Sequence, residues 1–250
     1  MDIDIKQTFM VLWKKYFNGT ELPITFYYTD DEKYCALVGS GSSARCLIKA
    51  LSSVREGKSL CYSTESKLCP GGKRYLGFAE EIMPDFEYFL SCGIPGKLEG
   101  ERYKKSPDLV KEAMKYSPIL KAPARFIVFK RWDKLTETDN PDVAIFFAIP
   151  DVLAGLFTLA NFDEAEPNSI IAPFGSGCST IVQYPYLEKD SKRPKGFIGM
   201  FDISARPFVP ANVLTFSVPM VKLRRMILNM ESSFLITASW GGVQRRILIK

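Results

Sequence analysis

No histidine occurs among the 250 residues, which removes the usual neutral-pH general base and the commonest metal ligand. Any chemistry must run through thiols, carboxylates, arginines, lysines or a bound cofactor. The six cysteines include no C-x2-C pair, so neither a zinc ribbon nor a thioredoxin-type motif is supported. The opening Met1-Asp2-Ile3-Asp4-Ile5-Lys6 lacks the basic-then-apolar layout of a signal peptide. The resulting expectation is a cytoplasmic protein with reduced thiols and no disulfide framework. Solenoid-length repeats and low-complexity tracts are missing too. The net charge is only +5, with basic and acidic residues interleaved. Lys222-Leu223-Arg224-Arg225 and Arg245-Arg246 therefore read as solvated surface, and no nucleic-acid partner is expected.

Val143 to Phe162 is nearly all apolar and long enough to span a bilayer. Pro150-Asp151 interrupts it, and a membrane-buried Asp is costly. The better reading is a buried strand 143–149 followed by a buried helix 152–160 capped by Asp151. No membrane partner is expected.

With 46% hydrophobic and 24% charged residues, the chain has the composition of an ordinary globular core. Ile5, Phe9, Leu12, Trp13 and Phe17 have helical spacing. Segments 22–28, 34–38 and 59–62 read as strands, Ser43 as the cap of a helix to about 55, and 84–90 as a short helix. Gly93 to Lys105 reads as a loop, a candidate lid or insertion. Ser106-Pro107-Asp108 is a strong helix start. Strands follow at 126–132, 143–149, 169–172, 197–201 and 213–218. Short helices are expected at 179–184 and from Pro219 to about 231, and apolar segments 233–239 and 243–249 close the chain. The fold class expected is α/β or α+β: one domain over 1–250, a single mixed sheet with helices packed on it.

What is present, and unusual, is cysteine set against glycine turns. In the first, Gly39-Ser40-Gly41-Ser42-Ser43 leads to Cys46. The turn suggests an anion site at a helix N-terminus through Gly39, Gly41 and Ser43, or a tight turn capped by Ser43. It is neither a Walker A loop nor a dinucleotide fingerprint. In the second, Cys69-Pro70-Gly71-Gly72-Lys73-Arg74 reads as an irregular loop in which Gly71, Gly72, Lys73 and Arg74 hold an anion beside a thiol. In the third, Gly175-Ser176-Gly177-Cys178 puts Cys178 in a first helical turn, where the dipole favours thiolate. The alternative is a buried cysteine acting as a small hydrophobe. Arg206 follows a strand and could clamp a carboxylate or phosphate. Arg131-Trp132-Asp133 reads as a salt-bridged corner. Cys35, Cys61 and Cys92 read as packing residues.

Arg45-Cys46-Leu47, the block from Cys69 to Phe78, Pro141-Asp142-Val143, Pro150-Asp151-Val152, and Gly177-Cys178 with Tyr184-Pro185-Tyr186 carry a resemblance. Together they resemble the prokaryotic family known as domain of unknown function number 169, over nearly the whole chain. The resemblance implies that Cys46, Cys69 and Cys178 occupy family motif positions; it brings no activity, substrate or catalytic residue with it.

Three readings follow. The first is a cysteine-based redox or cofactor-binding protein, with Cys69 and Cys178 catalytic, or with Cys46, Cys69 and Cys178 holding an iron–sulfur cluster or other thiolate-bound metal, for which spacing alone gives no support. The second is a non-catalytic binding module for an anionic small molecule. The third is a structural homo-oligomer subunit whose aromatic strands, such as 143–149, supply the apolar surface.

Overall fold

The computed structural model describes residues 1–38 and 46–248. In chain order the helices and strands are α1 (Ile3–Tyr16), β1 (Ile24–Thr29), α2 (Lys33–Val38), α3 (Leu47–Arg55), β2 (Leu60–Ser63), α4 (Pro70–Tyr75), α5 (Phe86–Phe89) and α6 (Pro107–Lys115). Then come β3 (Phe126–Arg131), β4 (Val143–Ala148), α7 (Pro150–Asn161), β5 (Ile170–Ile171), a π-helix (Ser179–Gln183) and α8 (Tyr184–Leu187). The chain closes with β6 (Gly196–Gly199), β7 (Leu214–Pro219), α9 (Met220–Asn229) and α10 (Ala238–Leu248). The strands form one seven-stranded sheet in the order β2-β3-β1-β4-β7-β6-β5. Every pairing is antiparallel except β5 with β6. The class is α+β, a single mixed sheet with helices packed on it.

Period-two alternation in β4 builds both faces. Ala144, Phe146 and Ala148 join the core under α1, α7, α9 and α10, while Val143, Ile145 and Phe147 join the core under α3 and the π-helix. β4 is buried at every position, so Val143–Ala148 presents no apolar surface of the kind the oligomer reading needs. Leu47, Ile48, Leu51 and Val54 of α3 are buried as their spacing predicts. Ser106 caps α6 by accepting from the Leu109 N–H at 3.3 Å. Arg131 and Asp133 make the expected salt-bridged corner at 2.7 Å.

Other expectations fail for identifiable reasons. Residues 34–38 are helix, not strand: β1 already pairs with β3 on one side and β4 on the other. A strand returning beside β1 has no open edge. Asp31 instead accepts from the Lys33 N–H at 3.1 Å and starts α2. The helix after β4 begins earlier than Asp151: Pro150 occupies its first turn, the cap position falls on Ile149, and Asp151 pairs with Arg246 at 3.0 Å. The closing segments are a 3-10 turn, Phe234–Ile236, and α10. Lys222 is not solvated surface but 1% exposed, held by Glu164 at 3.1 Å, and Arg225 joins the same carboxylate.

The thiols also differ from expectation. Cys35 lies in α2 and is disulfide-bonded to Cys61 in β2, across a Cα separation of 5.3 Å that suits such a bond. Cys92 is exposed rather than packed. The loop 93–105 is pinned to α5: Glu101, Arg102 and Lys104 donate backbone N–H groups to Phe89, Ser91 and Leu90. No helix among the described residues is long and apolar enough to cross a membrane.

Candidate functional site: a convergence of three thiols

Cys46, Cys69 and Cys178 are free thiols. Each occupies the N-cap position of a different helix: Cys46 of α3, Cys69 of α4 and Cys178 of the π-helix. Although distant in sequence, they lie on the same face of the sheet, where Cys178 is in the core under α3, Cys46 packs against it, and the charges of Cys46 and Cys69 act on the Cys178 thiol. Of the three helix starts, α4 directs a backbone N–H at its own cap sulfur, whereas at the π-helix the Gly177 and Ser179 N–H groups are taken by Asp202 and Ser176.

The second turn folds differently from expectation. Cys69-Pro70-Gly71-Gly72-Lys73-Arg74 is not an irregular loop but the cap and body of α4. Pro70 fits the first turn, where no backbone donor is needed, and the Cys69 sulfur accepts from the Gly72 N–H at 3.2 Å. A Cβ at position 72 would sit 3.3 Å from that sulfur, so Gly72 serves the cap. At Gly71 a Cβ would make ordinary contact with the Tyr75 ring. Lys73 reaches outward to the Thr64 carbonyl at 3.1 Å. Arg74 turns inward, 4% exposed, with Nη1 fully enclosed and without a hydrogen-bond partner.

The third turn holds an anion already, and that anion is the protein's own. The Gly177 N–H donates to Asp202 Oδ2 at 3.0 Å, while Oδ1 of the same carboxylate accepts from Ser204. Gly177 sits in a tight approach: a Cβ there would lie 3.2 Å from Ala205 and 3.3 Å from Ile48 and Met200, so these side chains would have to give by a few tenths of an ångström. Gly175 faces the Ser179 hydroxyl. Tyr103, from the pinned loop, accepts from the Ser204 N–H at 3.0 Å.

Burial pushes the Cys178 thiol well up, and the neighbouring sulfurs and Asp202 push it further. The dipole expected to favour thiolate there is outweighed. Burial also raises Cys69, with the Gly72 N–H opposing. Tyr75 is raised by burial too, with a hydrogen bond to Ser176 pulling the other way. At rest Cys69 and Cys178 are therefore protonated, nucleophilically quiet thiols. A π-helix is rare and concentrates at functional sites; here it carries Cys178.

Arg206 does not clamp a ligand. Its guanidinium donates to the carbonyls of Val213 at 2.5 Å, Ala211 at 2.6 Å and Pro210 at 3.3 Å, closing the loop before β7. Gly39, Gly41 and Ser43 lie outside the described residues. No three cysteine, aspartate or glutamate side chains among the described residues form a group placed to hold a metal; the three sulfurs are neighbours without forming such a cage.

Asp202, Tyr75 and Ser176 border the site and were not singled out from the sequence. Asp202-Ile203-Ser204 carries an Asx-turn signature that marks Asp202 as a local acceptor. A second polar cluster also escaped notice. Burial raises the Asp142 carboxyl despite Lys189 at 3.5 Å, and Lys189 lies 4.9 Å from the Tyr186 ring centre, beside Tyr28.

The profile of the family described as uncharacterised ArCR, domain of unknown function 169, matches residues 7–229. The chain belongs to this family. Domain of unknown function 169 thus spans the whole sheet, and all three thiol-bearing helix starts fall inside the matched region. No curated protein and no solved structure matches the chain.

Proposed function

We propose that this member of the family is a cysteine-based redox or cofactor-binding protein working through Cys46, Cys69 and Cys178. The observation that carries the reading is the convergence of three unpaired thiols, each at a helix start. Burial keeps Cys69 and Cys178 protonated until an oxidant or a soft cofactor displaces the protons. The Gly72 N–H, already donated to the Cys69 sulfur, then stabilises the charge that develops there. Because the sulfurs form no preformed metal cage, dithiol–disulfide exchange is the chemistry the arrangement supports best. Two thiols would give one disulfide, passing two protons and two electrons to a low-molecular-weight disulfide, which leaves as two thiols.

Titration of the protein with oxidised glutathione, followed by peptide mapping, tests this. The expected product is a bond between two of Cys46, Cys69 and Cys178. An anaerobic ultraviolet–visible spectrum with metal analysis tests the cofactor form. Recovery of all three as independent thiols from a colourless, metal-free protein overturns the proposal.

One observation favours a second reading, a site for an anionic small molecule. Arg74 is buried with no acidic partner at bonding distance among the described residues. An uncompensated buried cation is costly, and a bound carboxylate or phosphate would offset the cost. A thermal shift with inorganic phosphate that survives Cys69→Ser and vanishes in Arg74→Met supports this reading; no shift removes it.

A further inference from the structure

The Cys35–Cys61 bond lies outside the cluster just described, and its surroundings are unlike those of a core staple. α2 is six residues long, too short to be stable by itself. It covers a small satellite core of Tyr27, Cys61 and Val128 near the β2 end of the sheet. Besides the disulfide, α2 is held there by Tyr34. That ring meets Tyr27 edge-on at 5.9 Å, lies beneath the Lys130 ammonium at 5.2 Å, and sends its hydroxyl to the Thr138 carbonyl at a long 3.4 Å. Beneath α2 is a buried polar node: Asp139 accepts from Tyr27 and from Lys130 at 2.7 Å. One covalent bond thus keeps a marginal helix over a satellite core and a buried acid. The two sulfurs are unequal in access, Cys61 being 4% exposed and Cys35 half-buried.

We propose that Cys35–Cys61 is a reversible redox latch, opened by a low-molecular-weight thiol, that holds α2 on the sheet. A thiolate attacks the accessible Cys35 sulfur, breaking the protein S–S bond and forming a mixed disulfide. The electron pair leaves on Cys61, which takes a proton from solvent. A second thiol attacks the mixed disulfide, freeing the Cys35 thiol and releasing the small disulfide. Two reagent thiols are oxidised and two protein thiols appear. α2 then lifts from Tyr27 and Val128. The latch uses none of Cys46, Cys69 or Cys178, so it stands or falls separately from the function proposed above.

The test is a thiol count with limited trypsin digestion of the native protein, before and after treatment with reduced glutathione. Four alkylatable thiols are expected before treatment and six after, read in denaturant following acid quench. Cleavage at Lys33 should accelerate at least about tenfold, equivalent to losing roughly 1.4 kcal/mol of local stability. The Cys35→Ser protein should be cleaved at the fast rate with or without glutathione. Six thiols before treatment, four after it, or six after it with unchanged cleavage would each overturn the latch. Slow cleavage of Cys35→Ser would overturn it as well, and the wild-type comparison remains decisive if that variant does not fold.

Discussion

The face of the sheet under α1, α7, α9 and α10 is built from rings. Phe9, Trp13, Phe17, Trp132, Phe146, Phe216 and Trp240 interlock there, with Trp13 and Phe17 stacked at 4.4 Å. The opposite face is covered by the thiol-capped α3, α4 and π-helix, and carries Cys178 and Met200 among aliphatic side chains and a smaller set of rings, Phe26, Tyr62, Phe129 and Tyr186. One face has long amphipathic helices and a buried ion pair, the other short helices and the free thiols. Unpartnered polar atoms occur on both, Trp13 Nε1 and Tyr16 Oη on the first and Arg74 Nη1 and Gln183 Oε1 on the second. Consistency at every level marks a region that specifies the fold, and local departures gather where a protein works. The contrast sets the interlocked rings on one face against the free thiols on the other.

Phe146→Ala should break the contrast hardest. It removes a ring that meets Phe9, Trp13 and Phe216 at 2% exposure, and a cost of about 3–5 kcal/mol is expected in urea unfolding. Next is reduction of Cys35–Cys61, whose 26-residue separation corresponds to about 3.5 kcal/mol of loop-closure stabilisation; the unfolding midpoint should fall on adding reductant. Cys178→Ser buries a hydroxyl among apolar neighbours at a cost of about 1–3 kcal/mol, again read from urea unfolding. An unchanged midpoint would mean that the position is not tightly packed.

Titration separates the faces by sign. Burial raises Cys69, Cys178, Tyr28 and Tyr75. Groups with raised folded pKa contribute stability below their ordinary values of 9.0 for thiol and 10.0 for phenol, and lose it as pH rises through the folded values. Glu164, on the aromatic face, is pushed up by burial but held below its ordinary 4.5 by Lys222 and Arg225. Its contribution is present above 4.5 and lost as pH falls. All three tryptophans lie on the aromatic face. Base should therefore expose thiols to a chromogenic disulfide before tryptophan emission shifts; a simultaneous change would erase the distinction. The smallest effect is expected for Cys69→Ser. Serine is a good N-cap and can accept from the Gly72 N–H, so stability should move by no more than about 0.5 kcal/mol, while disulfide formation at position 69 is abolished.

Much of the fold is legible in the residues themselves because its signals are local. Ser106-Pro107 starts α6, alternation marks β4, and the spacing of Leu47, Ile48, Leu51 and Val54 marks α3. The failures depend on distant partners. Residues 34–38 have strand-like composition, but whether they pair is decided by β3 and β4, which close both sides of β1. Lys222 reads as surface until Glu164, 58 positions away, is placed beside it. Of the candidate site, the three cysteines were legible and their closeness was not. Gly71-Gly72 reads as a helix breaker, whereas the thiol of Cys69 caps a helix through it. Arg74 and Arg206 look alike in sequence, yet one is enclosed with its Nη1 unbonded and the other is spent on three carbonyls.

The order β1-β4-β7 at the middle of the sheet has a consequence in time. The central strand must wait for partners that lie far apart along the chain, and such non-local pairing is slow and leaves apolar surface open meanwhile. During synthesis Cys46 and Cys69 emerge well ahead of Cys178, and β7, which closes the sheet over β4, comes later still. A growing chain therefore carries Cys46 and Cys69 without their third neighbour until Cys178 and the strands around it have been made.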